Sequence, residues 1–173
     1  GILNYEAFTL LTDREDEPIP LDEISQERID ELKGIKEMNH ANYYGAAQGK
    51  NLIILQMESL QNFMVGLKID GQEITPNLNK LSKEGLYFPN FYQSAGQGNT
   101  SDAEFTVNTS FYIPPRKASV IAYGEKELPS LPKLLKEHGY TSATFHTNDV
   151  SFWSRNQLYA ALGFDKYYDK SFF

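Results

Sequence analysis

Four short stretches of this chain hold residue types that can do chemistry together. Glu58 directly follows the apolar run Asn51–Met57, and a carboxylate there offers a hard oxygen to a divalent cation such as Mg2+ or Mn2+. In Gly96-Gln97-Gly98-Asn99-Thr100-Ser101-Asp102-Ala103-Glu104-Phe105, two glycines precede a hydroxyl cluster and the cluster precedes acidic residues. Ser101 and Glu104 have the spacing of a capping box, which sets Thr100 just ahead of a helix. Backbone N–H groups and the positive end of the helix dipole would then face Thr100, favouring a phosphoryl group there and an ionised Thr hydroxyl. Ser101 is the rival nucleophile, although capping occupies its oxygen. Thr144–Asp149 supplies His146, a phosphate donor or an acid and base. Phe152-Trp153-Ser154-Arg155 supplies a guanidinium able to grip phosphate through paired hydrogen bonds and an indole able to wall a small polyol. Each stretch also has a plainer use. Glu58 serves equally as a solvated loop residue, the glycine-rich block as a capped helix after a flexible loop, and His146 as a polar loop residue. Trp153 serves equally as core, and Arg155 as a residue on a helix surface.

The elements that carry these residues favour the chemical use. Asn51–Met57 is continuous, β-branched and apolar, the pattern of a strand buried on both faces. Thr75–Gly85 predicts a helix, with Thr75 as cap, Pro76 in the first turn and Gly85 ending it in the left-handed region. Leu86–Tyr92 predicts a second strand, aromatic-rich and interrupted by Pro89. Ser130–His138 predicts a helix stopped by Gly139, Tyr140–His146 a third strand, and Ser154–Leu162 a last helix stopped by Gly163. Alternating strand and helix is the signature of α/β architecture with a mainly parallel sheet flanked by helices. Ligands of such sheets sit beyond the carboxyl ends of the strands, which is where Glu58, the glycine-rich block and His146 fall.

Residues 1–47 have a different character. Asp13-Arg14-Glu15-Asp16-Glu17-Pro18-Ile19-Pro20 reads as a charged linker, and Ser25 onward as a short amphipathic helix with Ile24, Ile29, Leu32 and Ile35 on one edge. The domain organisation expected is therefore a linker and helical connection over 1–47 and a catalytic segment over 48–173. The chain starts without Met and ends on Phe172-Phe173, so we expect a piece of a larger protein. With 173 residues, 40% hydrophobic, it is long enough for one core. The absence of cysteine removes disulfide scaffolds, thiolate zinc sites and cysteine nucleophiles, and leaves the compartment open. A net charge of −7 is the wrong sign for a nucleic-acid partner. No apolar run approaches the roughly 18 residues that span a bilayer, and the first residues lack the form of a signal peptide.

Asn51–Leu60 (NLIILQMESL), Gly96–Phe105 (GQGNTSDAEF) and Phe152–Arg155 (FWSR) together resemble the lipoteichoic acid synthase family, sulfatase-like members of the alkaline phosphatase superfamily. The likeness runs from about residue 48 to about residue 170. It implies the N-terminal part of an extracellular catalytic domain whose parent is anchored in the membrane of a Gram-positive bacterium. That part would lie on the outer face of the cell membrane or be released by proteolysis. The implied activity is transfer of glycerol phosphate from phosphatidylglycerol to the polyglycerolphosphate chain of lipoteichoic acid. The resemblance implies Glu58 and Thr100 as ligands of a metal, usually Mn2+, with Mg2+ as the alternative, and Thr100 as nucleophile. It implies His146, Trp153 and Arg155 as the glycerolphosphate pocket. A later Asp-His pair of metal ligands and a second pocket His have no counterpart here, so a C-terminal part of the domain is the implied partner. Asn148 stands where the synthases often carry Asp, and Asn99 where they often carry a basic residue, which leaves the acceptor open. A primase adding the first glycerol phosphate to the glycolipid anchor, a sulfatase or phosphatase-type hydrolase and a non-catalytic phosphate-binding fragment are the other readings.

Overall fold

The computed structural model describes residues 25–34, 43–92, 96–114 and 116–173. They fall into two compact units, one ending at Gln56 and the other running from Met57 to Phe173. In the first unit, helix α1 (Gln26–Lys33) begins where the Ser25 side chain accepts from the Arg28 N–H at 3.1 Å. It ends at Gly34, whose left-handed backbone (φ 62°) lets its N–H reach the last carbonyls. Ile24, Ile35 and the Asp13–Pro20 segment lie outside the described residues.

The second unit opens with Glu58 and then a short antiparallel hairpin, β1 (Lys68–Ile69) and β2 (Gln72–Glu73). Helix α2 (Pro76–Glu84) follows, with Pro at its first position. Its ends differ from expectation. Thr75 does not cap the helix; its hydroxyl donates to Met64 O at 2.9 Å and Asn79 Oδ1 at 3.0 Å, tying the helix to the preceding loop. Gly85 is extended (φ −120°, ψ −167°), not left-handed.

Helix α3 (Thr100–Thr109), α4 (Ser119–Tyr123) and α6 (Arg155–Leu162) enclose the core. Phe105, Ala118, Val120, Leu128, Leu158 and Leu162 are buried together, with Ile113, Tyr123 and Phe164 packed around them. Phe105 stacks on Tyr123 with ring centroids 5.5 Å apart. A fully buried Phe or Leu is worth about 1.5–3 kcal/mol, so this cluster anchors α3 despite that helix's many hydroxyls. Helix α5 (Leu131–Glu137) starts at Ser130, whose oxygen accepts from the Lys133 N–H and donates to Leu162 O. Ser130 thereby joins the start of α5 to the end of α6. Gly139 (φ 81°) follows α5 and turns the chain into β3.

Strand β3 (Ala143–Phe145), α6 and β4 (Lys166–Tyr168) form a strand-helix-strand unit with parallel pairing, Ala143 opposite Lys166, Thr144 opposite Tyr167 and Phe145 opposite Tyr168. Ser142, Thr144 and His146 are half-buried while their alternating neighbours are exposed, as period-two geometry requires. Gly163 (φ 76°) ends α6 and lets the chain return. The architecture is α/β.

Two expected strands are not formed. Neither Asn51–Met57 nor Leu86–Tyr92 is paired into a sheet among the described residues, and both are exposed, with Ile53 at 87% and Phe91 at 82%. A buried parallel strand needs a hydrogen-bonded neighbour on each side, and the described residues provide none for these two.

Candidate functional site

The glycine-rich block builds the site through a buried acid. Asp102 accepts from the Gly98 N–H at 2.8 Å and from the Ser119 N–H at 2.7 Å, so one carboxylate holds the loop before α3 against the start of α4. The loop must come close to do this. A Cβ on Gly98 would lie 2.5 Å from Asp102 Oδ1, and one on Gly96 would collide with the same carboxylate and Ile113. The turn continues through Asn99 at φ 45°, a conformation unusual for any residue with a side chain.

The helix starts two residues earlier than the capping-box spacing predicts. Thr100 is the first helical residue, Asn99 stands at the cap position without a side-chain hydrogen bond, and Ser101 lies inside the first turn. Ser101 is 0% exposed, and its hydroxyl donates to Gly98 O at 3.1 Å. Thr100 is only half-buried, and its Oγ1 donates to Glu58 Oε2 at 3.0 Å. The chain turns away just after Glu58 through Ser59, which has a left-handed backbone (φ 55°). A carboxylate and a hydroxyl 42 residues apart are thus in direct contact at a helix N-terminus. Two adjacent hard oxygens suit Mn2+ or Mg2+. No group of three or more His, Cys, Asp or Glu arranged for a metal occurs among the described residues.

His146 follows β3. Its Nδ1 accepts from the Asn148 N–H at 3.0 Å, which leaves the ring proton on Nε2. Burial and the nearby Arg155 charge hold its pKa below the usual value, with Glu104 and Glu58 pulling the other way. The loop beyond is braced by Asp149, whose carboxylate takes the Ser151 N–H at 2.9 Å and hydroxyl at 2.6 Å and pairs with Lys170 at 3.1 Å. These partners, the Ser151 hydroxyl first, hold the Asp149 carboxyl far below the usual carboxylate range.

Phe152–Ser154 is a single tight turn in which Trp153 (φ 59°) and Ser154 (φ 48°) are both left-handed. Trp153 is 36% exposed and meets Phe152 edge-on at 5.7 Å. Arg155 lies elsewhere than a helix surface. It is 1% exposed; its Nε and Nη2 donate to Glu104, at 3.1 Å and 2.8 Å, and its Nη1 to Phe152 O at 3.1 Å. The capping-box role expected of Glu104 is therefore corrected: its carboxylate does not reach back to the helix start because a buried guanidinium claims it. Residue spacing puts Glu104, four residues from Thr100, on the same helix face but gives no signal of its pairing with Arg155. The structure thus brings Glu58 and Thr100 into contact, joins Arg155 to the Thr100 helix, and sets His146 within the electrostatic reach of both groups.

A sulfatase family model matches residues 50–172. Lipoteichoic acid synthase 2 of Bacillus subtilis (strain 168) is 47% identical over 133 residues, covering 76% of this chain and 20% of that protein. Lipoteichoic acid synthase of Staphylococcus aureus (strain USA300) is 42% identical over 135 residues, covering 76% of this chain and 21% of that protein. The crystal structure of the lipoteichoic acid synthase LtaP from Listeria monocytogenes matches with a TM-score of 0.81 at 44% identity, over 87% of this chain and 37% of that one. The chain spans about a fifth of the length of the curated relatives it matches.

Proposed function

Since the chain belongs to the sulfatase family, we propose that it carries the nucleophile of a lipoteichoic acid synthase, a phosphoglycerol transferase that draws on phosphatidylglycerol. The names of its relatives support the role in lipoteichoic acid synthesis. The observation that carries the mechanism is the Thr100–Glu58 contact of 3.0 Å at the start of α3, beside a Ser101 that is hidden and already bonded. Glu58 and Thr100 would hold Mn2+ or Mg2+, which when bound favours the ionised hydroxyl and offsets charge on the transferring group. Glu58 accepts the hydrogen bond from the hydroxyl that must lose its proton. Thr100 Oγ1 attacks phosphorus, the bond from phosphorus to the diacylglycerol oxygen breaks, and that oxygen takes up a proton. A hydroxyl of the polyglycerolphosphate chain or of the glycolipid acceptor then attacks the glycerolphospho-threonine, and Thr100 regains its proton. His146, through Nε2–H, and Trp153 would hold the glycerolphosphate, with Arg155, its guanidinium paired to Glu104 and bonded to Phe152 O, bracing the Trp153 turn behind them. The remaining metal and pocket ligands would come from the C-terminal part of the domain, on the outer face of the cell membrane. Among the described residues no helix is long and apolar enough to cross a membrane.

Incubation of the complete protein with phosphatidylglycerol vesicles, followed by denatured intact mass, tests this. The wild type should gain one glycerolphosphate unit and Thr100→Ala none. Labelling that persists in Thr100→Ala moves the nucleophile elsewhere, Ser101 first. Turnover of soluble aryl esters with no transfer from lipid would make the protein a hydrolase.

A further inference from the structure

The residue that ties the two halves of the site together is Glu104. Its two oxygens take the Nε (3.1 Å to each) and Nη2 (2.8 Å) of Arg155, and the Tyr159 hydroxyl reaches Oε2 at 3.4 Å. The side chains of Arg155 and Glu104 are 1% and 13% exposed, so the pair works out of water, where charge-assisted bonds are strong and an orphaned partner is costly. One end of the pair is a helical turn from Thr100. The other is two residues beyond Trp153. The Arg155 guanidinium also bonds Phe152 O and lies over the Phe152 ring, 5.9 Å from its centroid. Fixing the guanidinium therefore fixes the turn that presents Trp153. That turn contains two consecutive left-handed residues with side chains, a conformation that persists only where its surroundings over-determine it.

We infer that Glu104 is a positioning residue: it orients Arg155 and holds the strained Trp153–Ser154 turn at a set place relative to the Thr100 helix. The geometry stands by itself; that the turn faces glycerolphosphate rests on the function proposed above.

Trp153 is the only tryptophan of this 173-residue chain, so in the complete protein, with any tryptophan outside these residues replaced by phenylalanine, intrinsic fluorescence reads this turn directly. Glu104→Gln keeps the shape and removes the charge. At a temperature well below unfolding, it should keep the far-UV circular dichroism of the wild type yet make Trp153 more accessible to acrylamide. Its affinity for glycerol 1-phosphate, followed by the same fluorescence, should fall roughly tenfold. Native quenching in a folded Glu104→Gln variant overturns the inference, because a pair that only stabilises the fold leaves Trp153 in place once folded. If Glu104→Gln does not fold, the double variant E104Q/R155Q removes both charges and leaves none orphaned. Raised quenching in the folded double variant supports the inference. Native quenching there, or failure of the double variant to fold, overturns it. A wild type that ignores glycerol 1-phosphate while Glu104→Gln shifts the quenching leaves Glu104 as a positioning residue and defeats the glycerolphosphate reading instead.

Discussion

A methyl group at position 98 has nowhere to go. It would sit 2.5 Å from Asp102 Oδ1 and 2.6 Å from Ser101 Oγ, both on buried residues. Gly98→Ala should therefore destabilise the second unit by roughly 1–3 kcal/mol, as overpacking does. A thermal melt checks it, and an unchanged Tm would mean the loop yields without cost. His146 carries a different sensitivity at the same scale. Its folded pKa is depressed, so the unfolded chain binds a proton first as pH falls. Whatever stability the neutral ring provides is complete above about 6.5, the ordinary histidine value, and is lost as pH drops through the lower folded value. Protonation at Nδ1 also removes the acceptor that the Asn148 N–H uses. Proton NMR titration of the three histidines should show His146 with a midpoint below the ordinary value; a midpoint above it contradicts the geometry.

At the scale of elements, Asp165 is the joint between α5, β3 and β4. The Lys136 ammonium at 2.6 Å, then the N–H and hydroxyl of Ser142, pull its carboxyl down to about 2. The stability this provides is present above the ordinary aspartate value near 4 and lost as pH falls toward 2. Lys136→Ala should move the acid-unfolding midpoint upward by a fraction of a pH unit, read by circular dichroism. Helices α5 and α6 and strand β3 were legible in the sequence because their cues are local: Gly139 and Gly163 as stops, and alternation over Tyr140–His146; the return strand β4 and the cap at Ser130 were not read there. The contact of Glu58 with Thr100 was legible only as shared location, since strand ends gather in α/β folds. Glu104 with Arg155 was not legible, because 51 residues separate them and Glu104 also satisfies the spacing of a capping box. Asn51–Met57 and Leu86–Tyr92 were misjudged for a related reason. Apolar pattern reports a demand for burial, and whether the demand is met depends on neighbours far along a polypeptide.

For the molecule as a whole, the exposed apolar side chains are as informative as the buried ones. Leu52, Ile53, Leu55, Leu86, Phe88 and Phe91 all face outward, and the chain spans 37% of the solved relative it matches. Those segments have the composition of interior strands. The loop before Thr100 is secured to the start of α4, and Asp102 is the means. Its consequence is one of lifetimes. The Gly98 amide belongs to a loop, yet it shares a carboxylate with the Ser119 amide at the start of α4. Neither can reach solvent unless the block opens. In deuterated buffer the two amides should therefore exchange slowly and with the same dependence on denaturant. Their common rate then times how long the loop before Thr100 keeps its shape, and rapid exchange at Gly98 alone would show that it does so only briefly.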